Sequence, residues 1–331
     1  MTMDEIARNL GVSKSTVSRA LSGKGRIGDE TRRRIISYAE AHGALAEKST
    51  EREKERSETT RNLGVVFPAD IYVYGNPYFQ ECMLGICEAA SLMGYNVLLT
   101  VATAVDISEI KKLVEEKKVD GIILTRSLVN DRAVEYLTEK RFPAGMTGIC
   151  DSDAVIQVDT DNEGASETLT SLLIGKGFQK FALVVEDLSY HVNRSRYDGF
   201  CSALLKNGIS KEKQTIYTGD LRMELLDTIL GDIIAKRTEC IICGDDVVCT
   251  RIMSRLQAEG YRIPRDIAIA SLYNNQNLNC FTPAVTAVNV PAREVGNMIG
   301  KQMINCLDGK PYTQKTMVDY EILFRKSTNR I

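Results

Sequence analysis

Apolar residues near the start of the chain recur at helical spacing in two short runs, residues 6–10 and 17–21. Gly11 lies between the runs, where a tight turn between two helices favours a residue that tolerates positive φ. A third helix is predicted from about residue 29 to residue 42, with Ile35, Ile36 and Ala39 as its apolar stripe. The pattern predicts a compact three-helix unit that contains a helix-turn-helix.

The second predicted helix has an apolar stripe on one side and hydrogen-bonding side chains on the other. Ser13 can cap its start. The side chains that project from it all form hydrogen bonds and none is acidic: Lys14, Ser15, Thr16, Ser18 and Arg19. Such a surface suits a helix laid against phosphates and base edges.

Residues 2–21, TMDEIARNLGVSKSTVSRAL, resemble the N-terminal domain of the lactose-repressor/galactose-repressor (LacI/GalR) family of transcription regulators. The resemblance implies a DNA-binding head over residues 1–46. By position, we expect Lys14, Ser15 and Arg19 to approach base edges, and Thr2, Ser13, Thr16 and Ser18 to bind phosphates. The third helix carries three arginines, Arg32, Arg33 and Arg34, which would lie near phosphates or in solvent.

Residues 47–61 contain no apolar residue and therefore predict a solvated linker. Here the sequence departs from the family, whose members commonly carry a short hinge helix that inserts leucines into the minor groove. Residues 43–46 lie where that hinge helix would begin, but they lack the Tyr-x-Pro-Asn motif that relatives commonly carry there. Because glutamates would be repelled by the groove, we expect the usual hinge contact to be lost.

Beyond the linker, short apolar strands alternate with helices, which predicts parallel βαβ units in an α/β fold. The predicted strands cover residues 63–67, 95–101, 119–124, 181–185, 214–217, 240–243 and 267–270, and the predicted helices cover residues 77–93, 108–117, 164–175, 194–207, 221–235 and 246–258. By resemblance, residues 62–331 form two doubly wound parallel-sheet lobes, like a periplasmic binding protein. Lobe 1 would hold about 62–159 and 291–320, and lobe 2 about 160–290 and 321–331.

Ligands of open α/β lobes bind at the carboxyl ends of the strands. Asn76, Tyr78 and Phe79 follow the first strand, and their family counterparts stack on or hydrogen-bond an effector; Phe79 is equally a core residue. Asp161 would bond a ligand hydroxyl or cap the next helix. Arg196 matches the family arginine that clamps effectors, with a surface salt bridge as the alternative.

Two further candidates follow later strands. Asp246 is suited to cap the helix that follows, and Asp245 is suited to line the cleft between the two lobes. Relatives often place a carboxylate where this chain has Tyr273, which offers one hydroxyl and an aromatic face instead. A sugar or sugar derivative is the effector that the resemblance implies, and its identity does not transfer.

The net charge differs between residues 1–46 and the rest of the chain. Residues 1–46 hold eight basic and five acidic residues, whereas the whole chain carries a net charge of −2. A basic head on an acidic body is expected if only the head meets nucleic acid.

Two short motifs do not indicate a function here. Residues 23–28 match the dinucleotide-binding motif G-x-G-x-x-G, but no strand precedes them, so we expect a loop and no dinucleotide site. Cys240 and Cys243 match C-x-x-C, but they would face opposite sides of a strand, so we expect core packing and no metal or redox site.

The sequence therefore predicts a transcriptional regulator, a repressor by preference, that binds a pseudo-palindromic operator as a homodimer. By resemblance, helices around residues 80–93 and 108–117 are candidate dimer surfaces. The alternatives are a solute-binding module and a regulator that no longer responds to an effector. We expect no enzyme activity, cofactor or metal, since His42 and His191 are the only histidines and no catalytic motif is found. We also expect no membrane association and a cytoplasmic location.

Overall fold

The computed structural model describes residues 2–22, 27–42, 59–69, 77–219 and 223–329. It divides into two compact units, Met1–Thr60 and Arg61–Ile331. Residues 43–58 lie outside the described ranges, and so does the prediction about the hinge contact. Most of the G-x-G-x-x-G motif also lies outside them.

The first unit contains the three predicted helices, α1 (Met3–Leu10), α2 (Lys14–Ser22) and α3 (Asp29–Ala41). Their apolar stripes meet in one core, as the spacing predicts. The buried residues of this core are Ile6, Ala7, Val17, Ala20, Ile35 and Ala39. Ile36, expected in the stripe of α3, is only half-buried.

Local capping explains where the first two helices begin and end. Thr2 and Glu5 form a reciprocal capping box at the start of α1. Gly11 ends that helix at φ 66°, a left-handed conformation that glycine adopts without strain. The Thr16 N–H donates to Ser13 Oγ at 3.2 Å, so Ser13 caps α2 as predicted.

Lobe 1 of the second unit is built on a six-stranded, wholly parallel sheet in the order β11-β5-β4-β3-β1-β2. Its strands are β1 (Asn62–Pro68), β2 (Asn96–Ala102), β3 (Gly121–Leu124), β4 (Ala144–Thr147), β5 (Val155–Thr160) and β11 (Lys315–Val318). Its helices are α4 (Pro77–Leu92), α5 (Ser108–Glu115), α6 (Arg132–Glu139) and α12 (Ala292–Leu307).

Lobe 2 carries a second six-stranded sheet in the order β12-β10-β9-β8-β6-β7, parallel except for its edge strand β12. The strands are β6 (Phe181–Val184), β7 (Thr215–Tyr217), β8 (Cys240–Cys243), β9 (Ala268–Ser271), β10 (Thr286–Asn289) and β12 (Glu321–Leu323). The helices are α7 (Asn162–Gly175), α8 (His191–Lys206), α9 (Met223–Ala235), α10 (Asp246–Ala258) and the short α11 (Asn277–Cys280). The predicted fold class, a three-helix head with two doubly wound lobes, is confirmed.

Glycine lets two pairs of helices cross closely. A Cβ on Gly85 of α4 would lie 2.0 Å from the Arg293 carbonyl oxygen of α12. A Cβ on Gly199 of α8 would lie 2.1 Å from the Glu163 carbonyl oxygen of α7. The second crossing fixes the position of α8, which carries Arg196.

Cys240 and Cys243 behave as the strand period predicts. Both are buried in β8, and they belong to different apolar clusters on the two faces of the sheet. Among the described residues neither cysteine forms a disulfide, and both belong to the core packing.

The sequence analysis named no element between residues 125 and 160, where α6, β4 and β5 lie. The strand β4 has only four residues, AGMT, which is too short for a periodic signal. α7 and α8 also begin two or three residues before their predicted starts. Among the described residues, no helix is both long and apolar enough to cross a bilayer.

Candidate functional site

The candidate DNA-contacting residues lie around one helix of the head. Thr2 stands at the start of α1 and Ser13 at the start of α2, and the remaining five are on α2 itself. Six of the seven are exposed and Thr16 is half-buried. Val17 and Ala20 of the same helix are buried, so α2 turns its apolar side inward and its polar side to the surface.

Three local contacts hold polar side chains of α2. Ser13 Oγ lies 2.8 Å from Ser15 Oγ and 2.7 Å from Thr16 Oγ1, a compact group of hydroxyls at the helix start. Lys14 Nζ lies 2.6 Å from Asp4 Oδ2 of α1. Because both side chains of this ion pair are more than half exposed, the pair contributes little to stability and leaves Lys14 available for exchange onto an anion.

A cavity of about 790 Å³, counted with its open mouth, lies between the two lobes of the second unit. Its walls come from the carboxyl ends of strands in both sheets and from the helices that follow them. It is lined by Pro68, Tyr78, Phe79, Thr125, Arg126, Ser127, Thr147, Gly148, Asp159, Asn162, Tyr190, Val192, Asn193, Arg196, Asp245, Tyr273 and Val290.

The lobes touch directly at the rim of this cavity. Leu128 of lobe 1 and Tyr190 of lobe 2 form an isolated antiparallel bridge. The Val129 N–H donates to the Ser189 carbonyl at 2.8 Å, and the His191 N–H donates to the Ser127 carbonyl at 3.2 Å. His191 is the first residue of α8, and burial lowers the pKa of its imidazole.

Arg196 is the central cation of the cavity. Its side chain is 8% exposed, so the alternative of a surface salt bridge is wrong. Ser166 Oγ of α7 donates to the Arg196 carbonyl at 2.6 Å and holds α8 in place. Among the described residues, nothing accepts a hydrogen bond from Arg196 Nε. Burial lowers the pKa of the guanidinium, and the carboxylates of Asp245 and Asp159 act against that shift.

Three aspartates surround Arg196. Burial raises the pKa of Asp159 to about 6 and that of Asp246 to about 7, and it also raises the pKa of Asp245. Asp245 Oδ1 accepts from the Val248 N–H at 2.9 Å, so Asp245 both caps α10 and lines the cavity. The sequence analysis was wrong to favour Asp246 as that cap. Asp246 instead accepts a short hydrogen bond from the Asn275 amide.

Aromatic rings form one wall of the cavity. Tyr78 meets Tyr273 edge-on, with 5.8 Å between ring centroids, and meets Phe79 edge-on at 5.6 Å. Phe79 is buried in the lobe 1 core, which is one of its two predicted alternatives, and it also borders the cavity. Such a wall offers ring faces and edges to a ligand with apolar C–H surfaces.

One predicted residue is not brought to the cavity. Asp161 is exposed, and its Oδ1 accepts from the Gly164 N–H at 2.8 Å, so it caps α7. Asp159 and Asn162 border the cavity instead. Asn76 lies outside the described residues.

Several lining residues were missed from sequence. They lie at the carboxyl ends of β3, β4 and β6 or in the segments that follow these strands, and examples are Arg126, Thr147, Tyr190 and Asn193. The only usable signal was the rule that ligand groups follow the carboxyl ends of strands, and β4 was itself too short to recognise.

Comparison with known proteins agrees with this architecture. Residues 2–43 match the family model of bacterial regulatory proteins of the lacI family, and residues 170–328 match that of the periplasmic binding protein-like domain. The HTH-type transcriptional regulator MalR of Streptococcus pneumoniae serotype 4 is 30% identical over 232 residues, which are 68% of this chain and 69% of the relative.

Two further relatives extend the similarity. The regulator MalR of Staphylococcus xylosus is 27% identical over 340 residues and covers 100% of this chain and 99% of its own. The crystal structure of a transcription regulator like protein from Staphylococcus haemolyticus superimposes with a TM-score of 0.75 at 25% identity, over 82% of this chain and 100% of that chain. The family predicted from residues 2–21 is thereby confirmed: this chain belongs to the lacI family of bacterial regulatory proteins.

Proposed function

We propose that this protein is a repressor that binds a pseudo-palindromic operator as a homodimer and responds to a small, polyhydroxylated effector in the cleft. The proposed DNA binding is supported by the surface of α2. Val17 and Ala20 of this helix are buried, so its exposed face consists of hydroxyl and cationic side chains. A helix with this arrangement fits the major groove, where arginine reads guanine and hydroxyls bind phosphates.

The effector half of the proposal is supported by Arg196 and its neighbours. A buried guanidinium with an unused donor, set among carboxylates, can bind adjacent hydroxyl groups that accept from the arginine and donate to an aspartate. Tyr78, Phe79 and Tyr273 supply the aromatic wall against which a sugar ring packs. These features favour an effector-responsive regulator over one that has lost its ligand.

The homodimer is supported by an exposed apolar surface on lobe 1. Leu84 and Leu92 of α4, Leu99 and Val101 of β2 and the following Val105 are all exposed. Because β2 is the last strand of its sheet, its outer edge is unpaired within the described chain. Sedimentation should give a dimer for the wild type and a monomer for the double variant Leu99→Asp/Val101→Asp. A variant that remains dimeric would move the interface elsewhere.

A selection of genomic fragments on the purified protein tests the function as a whole. We expect enrichment of a short, two-fold symmetric sequence. A thermal-shift screen of sugars, sugar phosphates and nucleobases should then find a stabiliser that also lowers the affinity for the selected fragment. Recovery of random fragments only would contradict sequence-specific binding.

A further inference from the structure

We propose that Tyr273 sets the length of the ligand that the cleft accepts, because its ring divides the effector cavity from a second, polar groove. This inference rests on the proposed effector function of the cleft. It names the size class of the ligand, a single sugar ring, and the residue that selects it.

The second groove runs beside the cavity between the two lobes. It encloses about 1560 Å³, counted with open solvent, and is lined by α4, the loop after β9 and the start of α12. Tyr273 and Val290 border both the groove and the effector cavity. These two residues therefore form the partition between the two spaces.

The ring of Tyr273 is fixed within that partition. It is 5% exposed and packs edge-on against Tyr78. Its backbone is held on both sides by one hydroxyl, since Ser271 Oγ donates to the Tyr273 carbonyl at 2.7 Å and accepts from the Tyr273 N–H at 3.3 Å. The Tyr273 ring is therefore held in place between the cavity and the groove.

The residues that follow Tyr273 anchor the same loop. Asn274 Oδ1 accepts from Arg325 at 2.9 Å, and the Asn274 amide donates to Asn289 Oδ1 at 3.0 Å. Asn275 donates to the carboxylate of Asp246 at the start of α10. Swinging the loop aside would break all of these bonds, so a ligand that crossed the partition would have to displace a braced loop.

The groove beyond the ring has the chemistry to hold a second sugar unit. Glu81 of α4 and the half-buried Asn297 of α12 both line it. Within the described part of the chain, their side chains make no hydrogen bond to other protein groups, which leaves a carboxylate and an amide for ligand hydroxyls. The groove is therefore a latent subsite that the Tyr273 ring separates from the cavity.

Removing the ring should join the two spaces. We expect Tyr273→Ala to accept a disaccharide in the full-length protein, and to bind the single sugar more weakly than the wild type because one ring of the aromatic wall is lost. Tyr273→Val provides a second test that preserves more packing if the alanine variant does not fold. Tyr273→Phe keeps the ring and should keep the exclusion, and Tyr312→Ala removes an exposed tyrosine as the matched control.

Calorimetry with glucose, galactose, mannose and fructose, and with maltose, cellobiose, lactose and sucrose, provides the measurement. We expect the wild type and Tyr273→Phe to bind one monosaccharide at least about tenfold more tightly than any disaccharide that contains it. In Tyr273→Ala or Tyr273→Val this ratio should fall to about one.

The outcomes separate the two levels of the proposal. Equal binding of monosaccharide and disaccharide by the wild type would overturn the partition and leave the proposed effector function standing. An unchanged ratio in the folded alanine and valine variants would do the same. Binding of no probe of either size by the wild type or any variant would overturn the sugar-effector function and this inference with it.

Discussion

Arg19 and Arg196 carry the same guanidinium in opposite surroundings. Arg19 is exposed on α2 of the head, whereas Arg196 is buried on α8 with three aspartates around it. In water a charge interacts weakly and is screened by salt, but in a buried site it is costly and has to be satisfied by neighbours or ligand. The head is therefore suited to bind a large polyanion in solution, and the cleft is suited to bind a small ligand that replaces water.

Salt should separate the two sites by the largest factor. If about six cations of a dimer neutralise phosphates, operator affinity should fall roughly 10³-fold between about 50 and 200 mM salt. Binding of an uncharged effector in the cleft should change by less than about twofold over that range. Fluorescence anisotropy and calorimetry in matched buffers measure the two, and similar salt slopes would contradict the comparison.

Loss of Arg196 should remove the effector response. Arg196→Ala deletes charged hydrogen bonds to the ligand, with an expected loss of about 3 kcal/mol, or about 100-fold in Kd. Arg194→Ala, an exposed arginine two residues earlier on α8, is the matched control and should retain the response. A ligand-induced thermal shift that persists in Arg196→Ala would remove this residue from the site.

Loss of Arg19 should flatten sequence preference. Arg19→Ala should cost roughly 1–3 kcal/mol on the operator, because a bidentate arginine–guanine contact discriminates by that amount. Random DNA should lose much less affinity. Arg33→Ala on the exposed side of α3 removes the same charge and should change both affinities equally or not at all. Equal losses for Arg19→Ala on the two DNAs would rule out base reading by this residue.

The buried acids predict a pH dependence of stability. The pKa of Asp246 is raised from 3.8 to about 7, so the folded protein holds this proton more tightly than the unfolded chain does. The free energy of unfolding should therefore fall as pH rises from about 4 to about 7 through this group. Asp246→Asn should be more stable than the wild type at pH 8, by about 1 kcal/mol, and the difference should shrink near pH 5. A gap that is constant with pH would exclude titration of Asp246.

The smallest effect concerns the exposed pair of Lys14 and Asp4. Asp4→Asn should change the stability of the head by less than about 0.5 kcal/mol, because exposed ion pairs contribute little. It should strengthen DNA binding a few-fold, since Lys14 is released and one negative charge is lost. Chemical denaturation and anisotropy test the two effects. A stability loss of several kcal/mol would show that the pair is structural.

Local sequence pattern is sufficient to predict the head and the fold class. Short-range rules suffice there: apolar spacing gives the three helices, Gly11 and Ser13 set their ends, and exposed polar residues are adjacent in the chain. The alternation of strands and helices likewise depends on local pattern, and it predicted elements over residues 63–124 and 164–270. The elements of residues 125–160, among them the short β4, and those beyond residue 270 were not predicted.

The residues of the cleft, in contrast, are brought together by the packing of the two lobes. Tyr78, Asp159, Arg196 and Tyr273 are distant in sequence and meet only when two sheets bring their strand ends together. Tertiary structure also settled the roles of neighbouring carboxylates. Asp161 caps α7, one of its two predicted alternatives, whereas Asp245 caps α10 in place of Asp246 and lines the cavity as well. Burial, which raises the pKa of Asp159 and leaves Arg196 Nε without an acceptor in the described chain, is a property of the packed lobes. Local pattern cannot encode it, because the surrounding atoms come from the whole fold.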